Sequence, residues 1–117
     1  MESAAPLPAT LGILERRALA DFTSFVRRRF GARVRELLLF GSRARGEGHE
    51  DSDLDILSVI DDLDRRERRE VWEFTGDLMT AHDVIVGGLT LSTAEWLDLR
   101  AKERRIVAEI DRDGVPL

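Results

Sequence analysis

The residues best suited to chemistry lie close together: Gly41 and Ser42, then Arg43 and Arg45, then Asp53 and Asp55. Leu37 to Phe40 before them are continuously apolar, as in a strand covered on both faces. Leu54, Ile56 and Leu57 mark a second strand around the acids. Side chains along a strand alternate between faces, so Asp53 and Asp55 share one face while Leu54 and Ile56 can pack into a core on the other. Two neighbouring carboxylates repel each other unless a cation sits between them. The usual occupant of an oxygen-only site is a hard divalent ion, most often magnesium held together with phosphates. A Gly-Ser turn directly after a strand is a natural place for backbone N–H groups to meet a phosphate. One segment thus offers both a metal-holding pair and a phosphate cradle.

The surrounding sequence must fold so as to present that segment. Leu11, Leu14, Ala18, Phe22, Phe25 and Phe30 recur at spacings near three and four, which predicts an amphipathic helix over residues 11–30. Arg27, Arg28 and Arg29 fall in its last turn, where cations suit the helix dipole, and Gly31 is a plausible stop. Residues 34–40 and 53–60 read as strands, with a short helical turn at 42–46 and a polar loop at 47–52. Asp61, Asp62 and Asp64 follow as loop and capping residues. A second helix runs from 63 or 64 to about 80, with Val71, Phe74 and Leu78 inward and Trp72 and Met79 beside them. Trp72 and Trp96 are assigned to the core. Residues 83–86 form a third short strand, Gly87-Gly88 predicts a bulge or turn, and residues 89–91 continue or re-start the strand. Ser92 or Thr93 caps one last helix that Gly114 ends and Pro116 cannot continue. The order helix, strand, strand, helix, strand, helix suits an α+β fold: a small mixed sheet of three to four strands with helices packed on it.

Bulk properties narrow the classes of function. The chain has 117 residues, room for one domain over 11–117 behind a flexible leader at 1–10 that contains Pro6 and Pro8. Its formal charge is −5 and its pI about 5.1, which argues against non-specific nucleic-acid binding. There is no cysteine, so no disulfide or thiolate metal site exists, in keeping with a reducing cytoplasm. No apolar stretch approaches the ~20 residues that span a bilayer, and the start lacks the pattern of a signal peptide. Tyrosine is absent.

Gly41-Ser42, ten residues, then Asp53-x-Asp55 resembles the signature of the DNA polymerase beta-type nucleotidyltransferase superfamily. The fuller form, Gly-Ser-Arg-Ala-Arg-Gly before Asp-Ser-Asp-Leu-Asp-Ile-Leu, is similar to the minimal nucleotidyltransferases of prokaryotes, the MNT proteins. Many of these are antitoxins paired with HEPN-domain toxins. The resemblance is strong over residues 34–86 and weak in the C-terminal helix.

It implies a magnesium-dependent enzyme, with two ions, that transfers AMP from ATP to a tyrosine hydroxyl of a partner HEPN toxin and so acts as its antitoxin in the cytoplasm. It implies that Asp53 and Asp55 bind the metal and that Gly41 and Ser42 meet the β and γ phosphates. The third acid of such a site is assigned to Asp83, which would open the next strand in the pattern Asp-Val-Ile-Val, with His82 beside it as a surface residue or base. One of Arg43 and Arg45 would contact phosphate while the other braces the loop against Glu47, Glu50 or Asp51. Without tyrosine the chain cannot modify its own tyrosines. Two other readings are compatible with the residues: a binding module that silences its partner by occlusion, and a small-molecule adenylyltransferase of the aminoglycoside-modifying type.

Overall fold

The computed structural model describes residues 6–49 and 51–117. Helix α1 (Ile13–Phe30) leads through a 3-10 turn into strand β1 (Val34–Phe40), the short helix α2 (Gly41–Ala44) and strand β2 (Leu54–Ile60). Helix α3 (Arg65–His82), strand β3 (Val86–Ser92), helices α4 (Thr93–Ala101) and α5 (Arg105–Asp113), and strand β4 (Val115–Pro116) complete the chain. The expected α+β architecture is present. The strands form one mixed sheet in the order β3-β2-β1-β4. β1 is antiparallel to both β2 and β4, whereas β2 and β3 run parallel.

Strand alternation sends β2 into two cores. Leu54, Ile56 and Ile60 pack with Leu19, Phe22 and Val26 of α1 and Val71 and Leu78 of α3. Leu57 and Val59 face the other way, onto Trp96 of α4 and Val107 and Ile110 of α5. Phe25 and Phe74 stack between α1 and α3 with ring centroids 4.2 Å apart. His82 pairs with Asp21 across the same two helices at 2.7 Å. The arginine run at the end of α1 is structural: Arg29 pairs with Glu70, and Arg27 donates to the Leu117 carbonyl. Among the described residues, no helix is long and apolar enough to cross a membrane.

Several expectations are corrected. The inward stripe of α1 runs through Leu19, Phe22 and Val26, and Leu14 is 45% exposed. Trp72 points outward and is 75% exposed, because Val71 takes the inward position beside it; Trp96 is buried as expected. β3 begins at Val86 and runs through Gly87 and Gly88, since parallel pairing with the whole of β2 keeps both glycines in the sheet. The single C-terminal helix is two. Glu103 adopts φ +49° in the charged stretch between Arg100 and Arg105, so α5 turns back and buries Val107 and Ile110 under the sheet. β4, unexpected from the sequence, adds an edge pairing of Val115 and Pro116 to Leu39 and Leu38. Residues 1–5 of the expected leader lie outside the described residues. In the remainder, Leu7 packs against the core and the Pro8 carbonyl accepts from Arg16.

Candidate active site

Asp55 lies on β2 opposite Phe40 of β1 on one side and Gly87 of β3 on the other. It belongs to the β2 face that carries Leu57 and Val59, at the end where the apolar packing stops. Asp53, exposed, precedes the strand, and its charge acts on Asp55. Burial, and then Asp53, push the Asp55 carboxyl above the usual carboxylate range. A cation between the two acids would offset both effects by favouring the charged carboxylates.

The turn that follows β1 is shaped around Asp55. Gly41 has φ +77°, and a Cβ there would run into Asp55 Oδ2. Only glycine lets the backbone come that close to the carboxylate. Ser42, half-buried, follows in α2, and its carbonyl accepts from the Glu47 N–H at 2.9 Å, closing the loop over the turn. Ser52 Oγ accepts from the His49 N–H at 3.2 Å, so the loop returns to the head of β2 in a tight turn. Gly41, Ser42, Asp53 and Asp55 are thereby gathered at one end of β1 and β2.

The two arginines part company. Arg43 is 2% exposed. Its Nε and Nη2 donate to Glu15 Oε2 and Oε1 at 2.8 and 2.6 Å, a bidentate pair inside the protein. Nη1 and Nη2 also donate to the carbonyls of Glu47 at 2.9 Å and Thr10 at 3.0 Å. Arg43 is therefore the brace of the loop, although its anchor is Glu15 and not one of the nearby loop acids. Arg45 is more open, donating to Asp113 at 2.9 Å and to Glu47 at 3.1 Å. Arg112, and behind it Arg45, hold the Asp113 carboxyl down to about 2 against the effect of burial.

Glu15 was missed in the sequence, yet it left a signal. It lies four residues after Leu11 and four before Leu19, on the apolar stripe of α1, where an acid calls for a buried partner. It also accepts from the Gly12 N–H at 3.0 Å and so caps α1. Burial alone would raise its pKa, but the hydrogen bonds from Arg43 and Gly12 outweigh this and hold it below the usual range.

Asp83 lies elsewhere than expected. It caps the C-terminus of α3 in a left-handed conformation, φ +56° and ψ +39°, three residues before β3 begins. It lines a surface hollow with Asp51, Val84 and the first turn of α1. Among the described residues, no group of three His, Cys, Asp or Glu side chains is placed to hold a metal ion. Asp53 and Asp55 are brought together; Asp83 is not grouped with them.

A model of the nucleotidyltransferase domain matches residues 19–112. MJ0604 of Methanocaldococcus jannaschii, whose name makes it only a candidate protein adenylyltransferase, is 38% identical over 50 residues, which cover 43% of this chain and 49% of that protein. The chain thus spans about half the length of this curated relative. A chain from a crystal structure of a toxin–antitoxin with AMP-PNP is similar at a TM-score of 0.50 and 26% identity, covering 80% of this chain and 68% of that one. A chain from a variant of the MntA–HpeT toxin–antitoxin shares the fold at a TM-score of 0.51 and 24% identity, covering 84% and 70%. With the family model covering most of the sequence and the Gly-Ser turn and acid pair folded into one site, the chain belongs to the nucleotidyltransferase domain family.

Proposed function

We propose that this domain transfers AMP from ATP to a hydroxyl of a partner protein, and that the partner is a HEPN-type toxin which the modification silences. The observation that carries the reading is the Asp53–Asp55 pair at the open end of its β2 face, with the Gly41-Ser42 turn against Asp55. The name of the M. jannaschii relative supports adenylyl transfer to protein. The toxin–antitoxin with AMP-PNP supports an adenine nucleotide and a toxin partner. The missing tyrosine directs the transfer away from the chain's own tyrosines.

In this reading the acceptor oxygen forms a bond to the α-phosphorus. The bond from that phosphorus to the α,β-bridging oxygen breaks, pyrophosphate leaves with the electron pair, and the hydroxyl proton passes to solvent. Asp53 and Asp55 would hold magnesium, which would supply Lewis-acid stabilisation of the attacking oxygen and of the charge on the leaving pyrophosphate. Gly41 admits the phosphates close to the backbone, and Ser42 adds a rotatable donor. Arg43 keeps the loop in place from behind. Arg45, the more open of the two, reaches phosphate by exchanging its contact with Asp113.

The test is intact-mass analysis of a cognate HEPN protein after incubation with this chain, ATP and magnesium. Whole AMP increments on the partner, absent with the Asp53→Asn/Asp55→Asn variant, are expected. A tight complex with both forms and no increment would replace the transferase reading with neutralisation by occlusion.

A further inference from the structure

Gly87 and Gly88 are neighbours in β3, yet the fold needs only one of them. A Cβ at Gly88, which has φ +107°, would collide with the backbone N and carbonyl O of Ile56, so the parallel pairing requires glycine there. Gly87 has no such constraint. Its φ is one that any residue adopts, and among the described residues the one atom a Cβ would meet within 4 Å is Asp55 Oδ1, at an ordinary 3.6 Å. Gly87 is also exposed and pairs directly with Asp55. A side chain at 87 would project beside the Asp55 carboxylate on the same face of the sheet. Position 87 is thus the place on the neighbouring strand from which a third carboxylate would meet the Asp53–Asp55 pair, and this chain leaves it empty of any side chain.

Resting on the reading of Asp53 and Asp55 as the metal holders, we propose that Gly87 keeps the third ligand position of this centre open, so that the chain holds a divalent ion well only together with the phosphates of its nucleotide. Two carboxylates supply few of the oxygens that a hard cation needs, and affinity follows the count of charged ligands. The triphosphate supplies the rest. Metal and nucleotide then bind as one unit, each raising the affinity for the other by the same factor.

The experiment measures manganese binding by electron paramagnetic resonance on the full chain, with and without a non-hydrolysable ATP analogue. The wild type is expected to bind free manganese weakly and to gain on the order of tenfold or more when the analogue is present. Gly87→Asp should tighten free manganese by about tenfold without nucleotide, and Asp55→Asn added to it should remove the gain. Gly87→Ala, a control for folding by circular dichroism, should bind as the wild type does. Asp83→Asn should bind as the wild type does. No gain from a folded Gly87→Asp protein would overturn the proposal. So would tight free-manganese binding by the wild type that Asp83→Asn weakens, which would make Asp83 the third ligand. The underlying reading fails separately, if Asp53→Asn leaves manganese binding unchanged in the presence of the analogue.

Discussion

At the scale of single residues, the site depends on one buried ion pair that takes no part in the proposed chemistry. Glu15 and Arg43 are 1% and 2% exposed, and together they tie the first turn of α1 to the loop after β1. Removing one partner leaves the other charge buried without compensation. Arg43→Ala is therefore expected to cost about 3–5 kcal/mol, measured by urea unfolding. Replacing both, as Glu15→Leu with Arg43→Met, removes the uncompensated charge and should cost clearly less than the single change. Equal losses from the single and double variants would show that packing, not charge, holds this corner. The sequence reading singled out Arg43 as a residue of the phosphate loop but passed over Glu15, although an acid in an apolar stripe was there to be noticed. Their partnership was not visible, because 28 positions separate them and only the packing of α1 on the sheet closes that gap.

At the scale of elements, β3 is where reading and structure differ most. Local chemistry made Gly87-Gly88 a bulge or turn, because glycine is costly inside a strand. Tertiary pairing overrode this preference: β2 offers a parallel edge from Leu54 to Ile60, and β3 takes it in full from Val86 to Ser92. The close approach of Gly88 to Ile56 shows what glycine contributes there. Gly88→Ala should destabilise the domain by at least about 1–3 kcal/mol, while Gly87→Ala should change the melting temperature little. The two variants compared in one thermal scan make the check, and similar melting temperatures would contradict the assignment of distinct roles. The split of the last helix has a related cause. A continuous helix over 93–113 would extend about 30 Å and carry Val107 and Ile110 away from the sheet. Turning at Glu103 buries both.

At the scale of the whole molecule, charge pairs join elements distant in sequence. Arg33 grips Glu67 at 2.7 and 2.8 Å and also donates to the carbonyls of Asp61 and Asp62, joining the exits of α1 and β2 to the start of α3. The Arg33 hydrogen bonds, with the Asp64 N–H, hold the Glu67 carboxyl down to about 2. Asp113 is held equally low at the join between α5 and the phosphate loop. A carboxylate with a depressed pKa in the folded state adds stability that is full above its ordinary value near 4.5 and is lost as pH falls toward 2. The melting temperature should therefore drop steeply between about pH 4.5 and 2. Glu67→Gln should lower it at neutral pH and flatten the acid limb, and an unchanged acid limb in that variant would remove Glu67 as a cause.

The sequence by itself determined the local part of this protein: the second strand that carries Asp55, with Asp53 just ahead of it, the Gly-Ser turn, the capping of α3 by Asp64, and the number and kind of most elements. These follow from the chemistry of residues a few positions apart, which any short segment carries with it. Only the tertiary structure decided which strand lies beside Asp55, that Gly87 and not an acid faces it there, that Asp83 ends a helix, and that Arg43 is claimed by Glu15. Each of these is a meeting of segments far apart in the chain, chosen by what the whole fold can bury and pair.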